Sequence, residues 1–226
     1  NVRSGAKTIM PIIKGLDKLV KYNNRSIKDL TTTPTAAGGG DTGALVHIKT
    51  LTASSSATLS FVDGSSDVVL DNTYPIYKFE FINCHPATDS QPFTFQGSID
   101  GGSNYNTTMT NTLFRAYNYE NNSATSLEYR DVDQAQGTAF QAITDNVGAD
   151  NDQCCNGTAF LFAPSSTTFV KHFMFRMAEV NGGDVIVDMY TAGYFNTTSA
   201  VDAIQFKFAS GNIDAGKIKL YGILDS

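Results

Sequence analysis

Residues 74–105 constrain the fold of this chain more than any other stretch, because they encode two β-strands together with their turns. In residues 76–81, aromatic and branched side chains alternate with polar ones, as in a strand with one buried face. Residues 93–99 show the same period, with apolar residues on one face and polar residues on the other. Residues 85–90 have the composition of a loop, and the glycines of residues 100–103 accept the positive φ angles of a tight turn. This region predicts β-structure and contains no catalytic motif.

The same signals recur along the chain from residue 44 onward. Short apolar segments are separated by turn residues at intervals of roughly 8–12 residues, which is typical of a sandwich or barrel and not of βαβ units. Only 17% of the 226 residues are charged, below the roughly 25% of an average domain, as expected for short strands joined by many polar turns. We therefore predict an all-β, jelly-roll-like antiparallel β-sandwich over residues 44–226. The least regular part, residues 118–157, is expected to form exposed excursions, with candidate strands at residues 127–130 and near residues 139–143.

The N-terminal part of the chain differs from the rest in charge. Residues 1–30 carry seven basic and two acidic side chains, a net charge of +5, whereas the whole chain has a formal net charge of −6. Residues 31–43 are rich in Gly and Thr, lack periodicity and have the composition of a flexible linker. The chain is thus predicted to combine a basic N-terminal anchor segment, a linker and an acidic β-domain.

The basic segment also has the periodicity of an amphipathic helix. Its apolar residues fall at i, i+3, i+4, i+7, i+10 and i+11, so they share one helical face. Gly15 costs about 1 kcal/mol relative to Ala, so we expect a short helical or extended anchor that depends on a partner surface. The segment either folds back on its own domain or docks into another subunit, and its charge favours docking. The docking residues are Ile9, Ile12, Ile13, Leu16, Lys18, Leu19, Val20 and Lys21.

Three stretches resemble a family of virion structural proteins of tailed bacteriophages, especially phages of cyanobacteria and other aquatic bacteria. They are residues 77–89, residues 96–105 and residues 206–222. The last stretch contains the pattern F-x-S-G-N-I-x-x-G-x-I-x-L-Y-G and is the most specific of the three. The resemblance spans the predicted β-domain and does not extend to the basic segment.

This resemblance implies a β-sandwich module of a fibre, tail or head-decoration protein, located in the virion. Modules of this kind assemble as oligomers, often trimers, and contact other virion proteins of the head or tail. The matching motifs consist of turn glycines and core aromatic residues, so the implied role is structural. We accordingly expect a homotrimer that has no enzymatic activity and needs no cofactor.

Side chains with catalytic or metal-binding potential are scattered along the sequence. His47, His85 and His172 each stand alone, without the spacing of a metal site or the context of a nucleophile elbow. The loop acids lack the D-x-D-x-D-G pattern of a calcium site. Three cysteines leave one unpaired in any disulfide scheme, so free thiols and a bridge from Cys84 to Cys154 or Cys155 are both open. The sequence therefore predicts neither a metal site nor a catalytic site.

An alternative function is recognition of a receptor or host surface glycan through the loops of residues 101–157. Tyr105, Tyr117 and Tyr119 lie in sequence near amide side chains such as Asn118. Exposed aromatic rings can stack on sugars, while amides hydrogen-bond to sugar hydroxyls. These four residues are candidate ligand contacts, and the competing interpretation is that the tyrosines belong to the core.

Charge and hydropathy disfavour two further classes of partner. The basic segment suits nucleic acid, but the acidic domain would repel phosphates, so the whole protein is not expected to bind nucleic acid. No stretch reaches the ~18 consecutive apolar residues of a membrane span. The predicted function is a non-enzymatic virion structural protein that self-associates through its sandwich and attaches to the particle through residues 1–30.

Overall fold

A computed structural model describes residues 45–224, which contain twelve β-strands and no helix. Every pairing between these strands is antiparallel. The strands are β1 (Leu45–Thr52), β2 (Leu59–Val62), β3 (Ile76–Pro86), β4 (Phe93–Ser98), β5 (Met109–Tyr119), β6 (Thr125–Tyr129), β7 (Gln141–Ala142), β8 (Cys155–Phe162), β9 (Lys171–Asn181), β10 (Val185–Phe195), β11 (Ala203–Phe208) and β12 (Ile213–Ile223).

The strands form two sheets that pack as a sandwich. The larger sheet has the order β1-β12-β3-β8-β9-β10-β5-β6, and the smaller has the order β2-β11-β4-β7. Eight strands, β1-β12-β3-β8 facing β2-β11-β4-β7, have the arrangement of a jelly roll, in which two Greek keys divide their strands between two sheets. The prediction of an all-β, jelly-roll-like antiparallel sandwich is therefore confirmed.

Four further strands, called here the added strands, widen only the larger sheet. The β9–β10 hairpin follows β8 and pairs alongside it, and β5 and β6 continue the sheet beyond β10. The β9–β10 register runs without interruption from the Asn181–Val185 pair to the Lys171–Phe195 pair. Asn181 stabilises the tight turn, because its side-chain Oδ1 accepts the Gly183 N–H at 2.8 Å. One sheet is thus twice as wide as the other.

The core between the two sheets is built on aromatic side chains. Phe206 of β11 lies at its centre, with ring centroids 5.1 Å from Phe81, 5.4 Å from Phe79, 6.1 Å from Phe93 and 6.4 Å from Phe61. Most of these contacts are edge-to-face, the arrangement that aromatic quadrupoles favour. Because the five rings come from both sheets, they hold the sandwich together.

The two strands predicted from residues 74–105 lie in opposite sheets. β3 belongs to the larger sheet and β4 to the smaller one, and they meet face to face through Phe81 and Phe93, whose centroids are 6.0 Å apart. His85 and Pro86 were expected in a loop, but they extend β3 because Ala215 and Ile213 of β12 still pair with them. This stretch therefore contributes one strand to each of the two sheets that enclose the core.

The two candidate strands within residues 118–157 correspond to β6 and β7, but the expectation that this region is exposed is wrong for residues 141–147. Gln141, Ile143 and Val147 are buried. The Ile143 N–H donates to the Phe93 carbonyl at 2.9 Å, and the Asn111 side-chain amide donates to Gln141 Oε1 at 2.9 Å. This segment packs at the end of the smaller sheet against β5, so it fills core space that the shorter sheet leaves uncovered.

Candidate functional site

One face of the added strands points away from the core and exposes large apolar side chains. Every second residue of β9, and of β10 as far as Thr191, is buried, so the intervening side chains point outward. The most exposed apolar members are Leu127 (70% exposed), Tyr129 (59%), Met174 (53%), Ile186 (46%) and Phe114 (44%). We call the outward side chains of β8, β9, β10, β5 and β6 the outer face. A contiguous apolar patch of this kind marks an interaction surface, whereas single exposed hydrophobic residues are ordinary.

Aromatic rings lie side by side across this outer face. Tyr129 pairs with Phe114, Phe114 with Tyr190, and Tyr190 with Arg176 in the sheet register. The Phe114 and Tyr190 rings are stacked, with centroids 5.0 Å apart and planes within 5°. The Arg176 guanidinium carbon lies 5.1 Å from the centre of the Tyr190 ring. Cross-strand contacts of these kinds each contribute about 0.2–1 kcal/mol, and they give the row a fixed arrangement.

Charge on the outer face is internally neutralised. Arg176 and Asp188 are the charged outward residues on these five strands, and they form an ion pair with an N–O distance of 3.0 Å. On the neighbouring part of the same sheet, Lys78 and Glu80 pair at 2.8 Å. The acidic character of the domain therefore lies elsewhere, so a second surface can approach this face without strong repulsion.

A groove of about 800 Å³ opens on the outer face, near the ends of the strands where β9 and β5 begin and β10 ends. Apolar surface dominates its walls, and no Asp, Glu, Lys or Arg among residues 45–224 lines it. His172 and Tyr194 sit at one end with ring centroids 5.9 Å apart. Its walls include the side chains of Thr112, Phe162, His172, Met174, Ala192 and Tyr194.

Phe169 lies at the same end of β9, in the loop between β8 and β9, and is 74% exposed. Its backbone is held on both sides. The Phe169 N–H donates to Ser166 Oγ at 3.0 Å, and its carbonyl accepts a hydrogen bond from Lys171 Nζ at 3.0 Å. Lys171 itself is buried, which lowers the pKa of its ammonium, and Nζ also donates to the Thr197 carbonyl at 3.0 Å. An exposed aromatic ring is thus presented on an ordered loop.

The four candidate ligand residues from the sequence do not form one site. Tyr117 and Tyr119 lie two positions apart on β5, with ring centroids 6.0 Å apart, whereas Asn118 between them points to the opposite side of the strand. The Arg115 guanidinium carbon lies 4.9 Å from the centre of the Tyr117 ring. Tyr105 is in the loop after β4, with its hydroxyl beside Gly102. Only the Tyr117–Tyr119 pair remains as a candidate contact surface.

The predicted docking residues of the basic segment lie outside the residues that the structure describes. This holds for Ile9, Ile12, Ile13, Leu16, Lys18, Leu19, Val20 and Lys21, and equally for the predicted linker of residues 31–43.

A charged cluster that the sequence did not reveal lies beside Tyr117. The Asp145 carboxylate pairs with Arg115 and, at 2.7 Å, with Arg130, while Arg115 also pairs with Glu128 at 2.6 Å. Glu179 is buried behind Asp145. Burial, and to a smaller extent the negative charge of Asp145, together raise the pKa of Glu179 to about 8. The cluster fastens residues 141–147 to the larger sheet and accounts for the burial of this polar segment.

All three cysteines are free thiols. Cys84 and Cys155 are buried opposite each other on β3 and β8, and the Cys155 thiol lies 3.4 Å from the Cys84 carbonyl oxygen. Burial raises the pKa of the Cys155 thiol, so it stays protonated and unreactive. Cys154 is only partly buried and lines a polar cavity of about 470 Å³ together with His85 and Asp214.

The three histidines lie in different parts of the described domain. His85 Nε2 lies 3.2 Å from the Asp150 carbonyl oxygen and its Nδ1 lies 3.8 Å from the Asp214 carboxylate, so both ring nitrogens already face acceptors. His47 contacts Thr50 and Tyr221, whereas His172 lines the groove. Within residues 45–224, no three His, Cys, Asp or Glu side chains are placed to hold a metal ion. The same residues include no helix that could cross a bilayer.

The sequence carried a partial signal for the outer face. In β10, apolar residues such as Ile186 and Tyr190 also occupy the positions that alternate with the buried ones, and Phe169 follows the polar run of residues 165–168. Alternation alone identifies two faces of a strand but does not tell which face the second sheet covers. The groove and the exposed ring therefore required the three-dimensional arrangement.

Comparison with known proteins yields no match of any of three kinds: no protein-family model, no curated protein and no solved structure is significantly similar to the chain.

Proposed function

We propose that this protein is a non-enzymatic structural subunit of a bacteriophage particle and that it self-associates through the outer face of its larger sheet. The virion assignment rests on the resemblance of residues 77–89, 96–105 and 206–222 to phage structural proteins. In this proposal, residues 1–30 attach the subunit to other proteins of the head or tail. The jelly roll is compatible with such a role, since capsid proteins use it, although lectins use it as well.

The observation that carries the self-association proposal is the apolar, charge-neutral outer face. Five strands spaced ~4.8 Å apart with a usable length of roughly 30 Å present about 700 Å². A standard protein interface buries about 800 Å² per partner. Aromatic residues are enriched at interface centres and charged residues are depleted there. Phe114 and Tyr190 supply the aromatic surface here, and the two charges beside them, Arg176 and Asp188, neutralise each other. The face therefore has both the size and the composition of an interface between subunits.

Sedimentation equilibrium of the full chain and of Phe114→Glu tests this proposal. The native chain should sediment as a multiple of its 24.3 kDa protomer, with three copies expected. Phe114→Glu places an unpaired charge in the face and should dissociate the assembly. Thr52→Glu adds the same charge on exposed β1 at the far edge of the same sheet and should not. A native chain that is monomeric at all concentrations would refute self-association.

Attachment to a particle is tested separately with a chain that lacks residues 1–40. The shortened chain should assemble with the same number of copies as the full chain, because the outer face is intact. It should no longer join phage particles that are assembled in its presence. Normal incorporation of the shortened chain would refute the anchor role of residues 1–30.

Glycan recognition is a second candidate, favoured by the Tyr117–Tyr119 pair. Tyr119 is partly exposed and Tyr117 lies next to the Arg115 guanidinium, so aromatic surface and hydrogen-bond donors adjoin each other. A glycan array should then give a signal with the native chain that Tyr119→Ala removes. A signal that survives this substitution, or no signal for the native chain, would count against the site.

A further inference from the structure

We propose that Phe169 of one copy inserts into the outer-face groove of a neighbouring copy, between the side chains of His172, Met174, Ala192 and Tyr194. This inference rests on the proposed self-association and specifies where its contacts concentrate. The partner it assigns to the groove is a second copy of this chain.

The first argument is the way in which the chain holds Phe169. A Phe side chain that is 74% exposed loses the hydrophobic free energy that burial would supply. Its loop is nevertheless ordered by the buried Lys171 ammonium, which donates to the carbonyls of both Phe169 and Thr197. Burying a lysine is unfavourable unless its hydrogen bonds are satisfied. A preorganised apolar side chain loses little conformational entropy on binding, which is the property of an interface anchor.

The second argument is the chemistry of the groove. In the part of the chain that the structure describes, no Asp, Glu, Lys or Arg lines it, and its walls include the apolar side chains of Phe162, Met174 and Ala192. A sugar needs several hydrogen-bond partners, and a charged ligand needs a counter-charge, whereas a phenyl ring needs neither. Met174 has a flexible thioether that adapts to an inserted ring and makes favourable sulfur–aromatic contacts. The groove therefore fits an apolar aromatic side chain better than a glycan.

The third argument is the position of the two features. Phe169 precedes β9 by two residues, and His172 and Met174 are among the first outward residues of β9, so ring and groove lie at the same end of the same sheet. Each copy thus carries both a donor ring and an acceptor groove. Rotation about an axis near this end can bring every ring to a neighbouring groove, and the contact then closes into a ring of subunits. The neutralised charge of the face allows this approach between two acidic domains.

The test uses full-length chains and sedimentation equilibrium. Phe169→Ala removes the ring, and Ala192→Glu places a charge in the groove at an exposed position that tolerates a side chain. Each change should weaken association by about 10- to 100-fold, as expected for loss of one buried aromatic anchor. Val132→Ala and Thr52→Glu serve as matched controls, since they shorten an exposed apolar side chain or add a charge away from the groove.

Mixing the two variants gives a readout that a folding defect cannot imitate. The Phe169→Ala chain retains its groove and the Ala192→Glu chain retains its ring, so the mixture should form hetero-oligomers more tightly than either variant forms homo-oligomers. Absence of hetero-oligomers would overturn the proposal. If both variants associate like the native chain, the insertion is wrong while self-association stands. If the native chain itself is monomeric, the proposed function fails first.

Discussion

The backbone N–H of Asp145 donates a hydrogen bond to the Glu179 carboxylate at 2.9 Å, although Asp145 itself carries a second carboxylate beside it. The Asn146 N–H adds another donor at 3.1 Å. Two acids thus meet at a buried position where residues 141–147 join β9. Arg115 and Arg130 neutralise Asp145, while Glu179 accepts backbone N–H groups and forms no ion pair with a cation of residues 45–224. This asymmetry makes the junction sensitive to pH.

We predict that the domain loses stability as the pH rises from about 4.5 to about 8. The pKa of Glu179 is raised from 4.5 to about 8 in the folded state, chiefly by burial. In this window the folded state holds a proton that the unfolded state has released, so the free energy of unfolding falls by up to about 1.4 kcal/mol per pH unit. Stability from this group is fully present below pH 4.5.

Urea unfolding of Glu179→Gln as a function of pH checks this prediction. The variant should show a flatter pH profile than the native chain, since the amide cannot release a proton. Glu120→Gln, at an exposed position after β5, is the control and should keep the native slope. If the free energy of unfolding has the same pH dependence in the native chain and in Glu179→Gln, the raised pKa of Glu179 is not the cause of the pH dependence.

Lys171→Met should lower the free energy of unfolding by about 1–3 kcal/mol. The substitution keeps an unbranched side chain but leaves the carbonyls of Phe169 and Thr197 without their Nζ donor. Limited proteolysis should also cut the loop between β8 and β9 sooner, because its anchor is lost. Lys217→Met, on the exposed surface of β12, should change stability by less than about 0.5 kcal/mol. A stable variant with a protected loop would show that Lys171 does not hold the loop.

Gly97→Ala should destabilise the sandwich by about 1–3 kcal/mol through overpacking. A Cβ atom at Gly97 would lie 2.7 Å from Cζ of Phe195 and 3.2 Å from Val201, so β4 would have to shift. Gly183→Ala is the matched control, because a Cβ atom in that turn would meet nothing nearer than 3.4 Å. Denaturant midpoints compare the two, and similar midpoints would mean that the core at Phe195 is loosely packed.

Thiol reagents should modify Cys154 in the native protein and leave Cys84 and Cys155 untouched. Cys154 is partly exposed in a polar cavity, whereas the other two thiols are buried between the sheets. Unfolding in denaturant should then make all three reactive. Mass spectrometry of the labelled peptides identifies the site. Fast labelling of Cys155 in the native state would imply local opening of β8.

Strand positions could be predicted from sequence because the two-residue period of a half-buried strand is a local property. Residues 76–81 and 93–99 both predicted strands, and both predictions are confirmed by β3 and β4. The prediction was incomplete for β4, whose polar residues are buried as well. Gln96 is buried because its side-chain amide donates to the carbonyls of Thr138 and Ala139, which are distant in sequence. A local sequence pattern carries no information about distant residues that cover the polar face of a strand.

The candidate site was less accessible from sequence than the fold. Tyr117, Asn118 and Tyr119 were grouped because they are adjacent in sequence, but adjacent residues of a strand point to opposite faces. The outer face is the reverse case. Phe114, Tyr190 and Tyr129 are far apart in sequence and come together only through the register of β5, β6 and β10.

The sequence by itself determined that this chain is a β-protein, where most of its strands run and which glycines turn it, since these depend on side-chain alternation and backbone freedom within a few residues. The tertiary structure alone decided that β3 and β4 belong to opposite sheets, that residues 141–147 are buried and that one side of the added strands faces solvent. The physical reason is that burial depends on what packs against a face. For the added strands, the smaller sheet and residues 141–147 cover one side and leave Phe114 and the groove exposed on the other.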